Sequence, residues 1–137
     1  MIPYQVKSTK LTGSNYKEIR NKAVLIFRND IEKQSKRKPY IKSAYFKKQK
    51  IFFDYFWKHT YQKNPRTRFR RLKYFKAGIE LIKDSRNEPA SKQNPNKRNE
   101  VLHRFAGLTK EKELFYVQIK EDKKTGKKYF MSCFPPE

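Results

Sequence analysis

His103, Arg104, Gln118, Lys120 and Ser132 fall in three short runs near the end of the chain, VLHRFAG, LFYVQIK and KKYFMSCF. Several of these types have a direct use in phosphoryl transfer. An imidazole titrates near neutral pH and moves a proton in either direction. Guanidinium and ammonium groups neutralise the charge that builds on a phosphorane, and a hydroxyl donates a hydrogen bond to a non-bridging oxygen. When the nucleophile is the 2′-hydroxyl next to the phosphate, His103, Arg104, Lys120 and Ser132 on one sheet face suffice to cleave RNA without a metal. Each type also has an ordinary structural use, which for His103 is that of a half-buried strand histidine with a satisfied hydrogen bond.

The elements that must position these residues read as three strands. All three runs are rich in β-branched and aromatic types. LTKEKE and EDKKTGK join them, and Thr125-Gly126 suits a hairpin turn. Phe115, Val117 and Ile119 alternate with Tyr116, Gln118 and Lys120, so this strand has an apolar and a polar face. A final hairpin whose paired residue numbers sum to 250 sets Gln118 opposite Ser132, on the side of Lys120. A slip of one residue separates them. In the first hairpin an even sum sets Arg104 opposite Gln118, and an odd sum sets His103 there. The sequence allows either.

Upstream the period is helical. Residues 1–13 form a polar lead-in with room for a short extended stretch. Ser14 or Asn15 caps a helix in which Tyr16, Ile19, Ala23, Ile26 or Phe27, and Ile31 share a face, fraying near Ser35. Pro39 suits the first turn of a second helix running to about Tyr61, with Ile41, Tyr45, Phe52, Tyr55, Phe56 and His59 on its apolar face. So dense a ladder of rings reads first as a helix–helix core. Asn64-Pro65 closes that helix, and Leu72, Phe75, Ile79 and Ile82 mark a third ending near Ser85. Gly78 within it points to a packing or approach constraint. Residues 86–99, rich in Asn, Pro and Ser, read as a loop. The expectation is a single α+β domain over 1–137: a basic helical part at 14–85, a loop at 86–99, and helices packed on a C-terminal antiparallel meander at 100–137.

Charge supplies the partner. The chain carries 35 Lys+Arg against 13 Asp+Glu, a formal net charge of +22 on 137 residues. Self-repulsion of that size implies a polyanion. The stretch from Gln34 to Tyr74 holds 14 Lys/Arg and one acid, Asp54, and so accounts for +13 of the +22. It includes Lys47, Lys48 and Lys50, and the segment RTRFRRLK with Arg66, Arg68, Arg70, Arg71 and Lys73 around Phe69. Basic residues interleaved with rings suit a surface that tracks phosphates and stacks bases. A solvated helix face accounts for any one lysine, but not for so lopsided a segment. A membrane-surface helix would confine its charge to one face, whereas here it is spread around.

Other classes are set aside. Aromatics make up 15% of the chain, enough to build a core although hydrophobic residues total only 36%. No apolar run approaches the roughly 18 residues that cross a bilayer, and MIPYQVKSTKLTGS has no apolar signal-peptide region. A lone Cys133 forms no internal disulfide and fits a reducing, cytoplasmic setting. One Cys and two His do not make a zinc site of the usual spacing. No cofactor-binding fingerprint is present.

The order LHRFAGLTKEKELFYVQIKEDKKTGKKYFMSCFPP resembles domains of the barnase/EndoU/colicin/RelE-like nuclease superfamily, nearest its phage and mobile-element branch. There a His-Arg motif precedes a VQIKE-like strand and a final strand ending in S-x-F-P. RLKYFKAGIELIKDS resembles the helix leading into that sheet, so the likeness runs from Arg70 onward. It implies helices on a four-stranded antiparallel sheet, with a fourth strand from Arg66–Arg71 or a terminal segment. It further implies metal-independent RNA cleavage in toxins or related effectors, with His103, Arg104, Lys120 and Ser132 at the motif's polar positions.

Two functions follow, an endoribonuclease and a non-catalytic RNA- or ribosome-binding module. Double-stranded DNA binding fits less well, because no helix-turn-helix spacing is present. A toxin also needs restraint, and so basic a protein suits an acidic antitoxin as well as RNA.

Overall fold

Ile51 and Phe130, both fully buried, lie on neighbouring strands at the centre of one mixed sheet. The computed structural model describes residues 1–35 and 37–137. Lys36, one of the basic residues of the 34–74 stretch, lies outside the described residues. Among the described residues seven strands and four α-helices follow in the order β1 (Tyr4–Gln5), α1 (Tyr16–Ile26), β2 (Tyr40–Ser43), β3 (Gln49–Phe52), α2 (Phe56–Tyr61), α3 (Pro65–Leu72), α4 (Phe75–Asp84), β4 (Ala90–Gln93), β5 (Glu100–Leu108), β6 (Leu114–Asp122) and β7 (Lys128–Phe134). The strand order is β1-β5-β6-β7-β3-β2, with β4 also pairing β5. The fold is α+β, as expected. The sheet is mixed rather than wholly antiparallel, since β1 joins β5 and β3 joins β7 in parallel.

The first helix begins where its cap was read. The Asn15 side chain accepts the Glu18 N–H at 3.0 Å, and Glu18 Oε1 takes the Ser14 hydroxyl at 3.0 Å. Beyond α1 the backbone continues as a π-helical stretch, Phe27–Glu32. Ile19, Ala23, Phe27 and Ile31 are buried.

The predicted second helix, from Pro39 to Tyr61, is instead a β-hairpin followed by the short α2. Ile41 and Ile51 are paired and buried, while Tyr40–Phe52 and Lys42–Lys50 pair on the other side. Aromatic and β-branched residues satisfy a period of 2 as readily as 3.6 over so short a run, and pairing with β7 selects the strand. Lys47 and Lys48 turn the hairpin in the left-handed region, at φ 56° and 68°.

Asn64-Pro65 opens a helix rather than closing one. Asn64 Oδ1 accepts the Thr67 N–H at 2.9 Å, and Pro65 takes the first position of α3, where its missing N–H costs nothing. α3 is thus an additional helix, and the predicted third helix is α4, which Ser85 ends as expected, with Leu72 falling at the end of α3. Arg66–Arg71 is helical and supplies no strand; the strands added to the expected three are β1, β2, β3 and β4, so the sheet exceeds the four strands expected. The 86–99 segment is no simple loop, because β4 within it lies along the edge of β5.

α4 packs on the sheet through Leu81, Ile82 and Gly78. A Cβ on Gly78 would lie 3.1 Å from Val117 and 3.3 Å from Cys133 Cβ, so the close approach expected of this residue is present. Phe27, Phe53, Phe56, Phe75 and Phe130 form the ring-rich core beneath, with Phe53 stacked on Phe130 at 4.9 Å. Each such ring contributes about 1.5–3 kcal/mol by burial. No helix among the described residues is long and apolar enough to cross a membrane.

Candidate functional site

The sheet face turned away from α4 is built of cross-strand rows. Ala90, Arg104, Gln118 and Ser132 form one row across β4, β5, β6 and β7. The even-sum register therefore holds in the first hairpin, and Gln118 faces Ser132 in the second. A bulge after Gln118 then inserts Met131, so Lys120 faces Tyr129 and Ile119 faces Phe130. That extra residue keeps both Ser132 and Tyr129 on the open side.

Arg104 and Ser132 line a cleft of about 550 Å³. The sheet also contributes Tyr116, Gln118 and Phe134, α2 contributes His59, α3 contributes Arg71, and Lys63 and residues 135–137 complete the lining. The guanidiniums of Arg71 and Arg104 each lie 5.2 Å from the Phe134 ring, and Arg104 is 5.7 Å from Tyr116. Among the described residues the lining sets Lys63, Arg71 and Arg104 against one carboxylate side chain, Glu137. Such a cleft favours an anion.

His59 is the residue that sequence reasoning missed. Its spacing puts it on an apolar helix face, yet α2 begins at Phe56 and sets it on the cleft. Burial pulls its pKa below the usual 6.5, and the positive charges of Lys63, Arg71 and Lys120 lower it further. The imidazole is therefore neutral at pH 7 and free to take a proton. Its rarity was the available signal, for it is one of only two histidines.

His103 does not join Arg104. As its chain neighbour on a strand it points to the opposite face, paired with Ile119, and is 8% exposed. Its Nδ1 lies 2.6 Å from Ser91 Oγ and its Nε2 2.8 Å from Glu121 Oε1, with the Phe46 ring 5.1 Å away. Lys128 Nζ, buried beside it, bonds Gln49 Oε1 at 2.6 Å and lies 3.9 Å from Glu121. His103 thus ties β4 to β5 and β6.

The remaining candidates divide. Lys120 shares the open face but is held over the Tyr55 ring at 4.2 Å and beside Glu100 at 3.6 Å, outside the cleft lining. Arg66 and Arg70 are exposed on α3. Arg68 instead bonds the carbonyls of Lys63 and Tyr61 at 2.7 and 2.8 Å, bracing the α2–α3 joint, and Lys73 lies over Phe69 at 4.1 Å. Lys47 and Lys48 stand exposed at the β2–β3 turn, and Lys50 lies 4.7 Å from the Tyr40 ring. Cys133 is buried, and desolvation pushes its thiol up to about 12. It is an inert core residue.

Comparison with protein-family models, with curated proteins and with solved structures finds no match to this chain.

Proposed function

We propose that this protein is a metal-independent endoribonuclease that works in the cleft by 2′-hydroxyl transesterification. The observation that carries the reading is His59: a half-buried imidazole, held neutral, in a cleft lined by Lys63, Arg71 and Arg104. His59 takes the proton of the 2′-hydroxyl. The O2′–P bond forms as the P–O5′ bond breaks, and the 5′-oxygen leaves with a proton from water. The products are a 2′,3′-cyclic phosphate and a 5′-hydroxyl end. Arg71 and Arg104 remain charged throughout and neutralise the phosphorane oxygens, while Ser132 and the Gln118 amide donate hydrogen bonds.

The likeness to the barnase/EndoU/colicin/RelE-like superfamily supports this reading through Arg104 and Ser132 alone, with β5, β6 and β7 as the meander of its sheet. His59 precedes the resembling stretch, and His103 and Lys120 lie outside the cleft. The same reading sets the protein in the cytoplasm, as a toxin or effector of a mobile element restrained by an acidic antitoxin. Its test is incubation of purified protein with total RNA in EDTA, followed by mapping of the ends. Cyclic phosphate ends that vanish in His59→Ala are expected. No cleavage above that variant across several RNA classes would overturn it.

A second reading, an RNA- or ribosome-binding module without catalysis, is favoured by the rings and lysines beside the cleft. Binding that falls steeply with salt and survives His59→Ala, without cleavage, is its outcome.

A further inference from the structure

Beside the cleft row lies a second row on the same face. Lys120, Tyr129, Phe52 and Tyr40 are successive register partners across β6, β7, β3 and β2. Tyr55 stands 4.9 Å from Tyr129; Phe52 lies 6.3 Å from Tyr129 and 6.2 Å from Tyr40, all between ring centroids. Tyr55 is 41% exposed, and the other three rings are partly exposed. Four rings left wet on a chain with a ring-rich core form an apolar patch of the kind that marks a binding surface.

The charge around the rings names the occupant. Lys120 Nζ sits 4.2 Å from the Tyr55 ring centre and 5.5 Å from that of Tyr129, and Lys50 Nζ sits 4.7 Å from that of Tyr40. Glu100 and Asp54 are engaged by Lys120 and Lys38, at 3.6 and 3.0 Å. On the following row Lys42 and Lys50 face each other directly across β2 and β3. Like charges in that position repel, and a bound polyanion relieves them. Aromatic faces bordered by ammonium groups suit a single strand, whose bases are free to stack; a duplex keeps its bases inside.

We propose that the Tyr129–Tyr55–Phe52–Tyr40 row is a base-stacking subsite for single-stranded RNA adjoining the cleft. The strand leaves the cleft at Ser132 and crosses β7, β3 and β2, with its phosphates along Lys120, Lys50 and Lys42. This deepens the ribonuclease reading by naming its substrate class, and rests on that reading for the choice of RNA.

The probe is a fluorescein-labelled 12-nucleotide oligouridine, 2′-O-methylated throughout so that it cannot be cleaved, measured by fluorescence anisotropy against a 12-base-pair RNA duplex. Phe52→Leu and Tyr129→Leu keep apolar bulk, and Tyr55→Ala alters an exposed ring and leaves the core intact. Each is expected to weaken single-strand binding roughly tenfold, with duplex binding unchanged. The salt slope stays as in the parent for these variants and flattens by about 1.4 for Lys42→Gln with Lys50→Gln. Ring variants that bind like the parent, or a parent that binds duplex as tightly as single strand, would overturn the subsite. Ring-dependent binding without any RNA cleavage would sustain the subsite and remove only the catalytic reading.

Discussion

Arg104 and Gln118 are direct cross-strand partners on the open face of the sheet, and His103, one residue before Arg104, is thereby committed to the opposite face. This relationship separates two histidines that composition alone would treat alike. One is set in a cationic cleft, and the other in a hydrogen-bonded cluster with Ser91 and Glu121.

His103→Ala is accordingly a stability variant. It removes a largely buried ring beside Phe46 together with its hydrogen bonds to the exposed Ser91 and to Glu121, which keeps Lys128 at 3.9 Å, while the β4–β5 backbone pairing remains. A loss of about 1–3 kcal/mol is expected in urea unfolding. Cleavage by the fraction that remains folded should match the parent. A parental midpoint, or a selective loss of activity at full stability, would contradict this assignment.

The acid response of His59 has a definite sign. Above about 6.5 the imidazole is neutral in folded and unfolded chains alike, so it has no effect on stability. As pH falls below 6.5 the unfolded chain takes the proton first. Stability then drops until the lower folded pKa is passed, and holds level below it. An NMR titration should place the His59 midpoint under 6.5, and the acid limb of cleavage by free enzyme should follow it. Lys63→Gln removes a facing charge and should move both upward. A midpoint unmoved by that change would show that the Lys63 charge does not act on the imidazole.

Gly107 tests how closely β5 approaches the core. A Cβ there would lie 2.6 Å from Phe115 Cζ and 3.1 Å from Leu81 Cδ2. Phe115 is fully buried and stacked on Tyr74 at 5.5 Å, so its ring has nowhere to retreat. Gly107→Ala should cost about 1–3 kcal/mol by thermal or urea unfolding.

The β2–β3 turn predicts the opposite effect. Lys48 sits at φ 68°, where an L side chain is strained, and glycine there is not. Lys48→Gly should raise stability by about 0.5–1 kcal/mol, after the extra chain entropy of glycine is subtracted. The same change removes a basic residue, so affinity for oligouridine should fall slightly while the unfolding midpoint rises.

Much of this molecule was legible in its residues. Asn15 announced the first helix through a local hydrogen bond. Alternation along Phe115–Ile119 announced β6, and Thr125-Gly126 the hairpin after it, with Gly126 at φ 75°. These are local signals, set by groups a few residues apart. The α+β class and the excess of charge were equally plain. What remained hidden depends on neighbours far along the chain. Tyr40–Phe52 carries apolar residues that satisfy either a helical or a strand period, and pairing with β7, some eighty residues later in sequence, decides between them. His59 looked like one more core position until the end of β3 and the start of α2 turned it toward Arg71 and Ser132. Register decided the rest. Side chains alternate with a period of two, so a single-residue choice between the two hairpin pairings determined which of His103 and Arg104 meets the cleft, and only the packed sheet makes that choice.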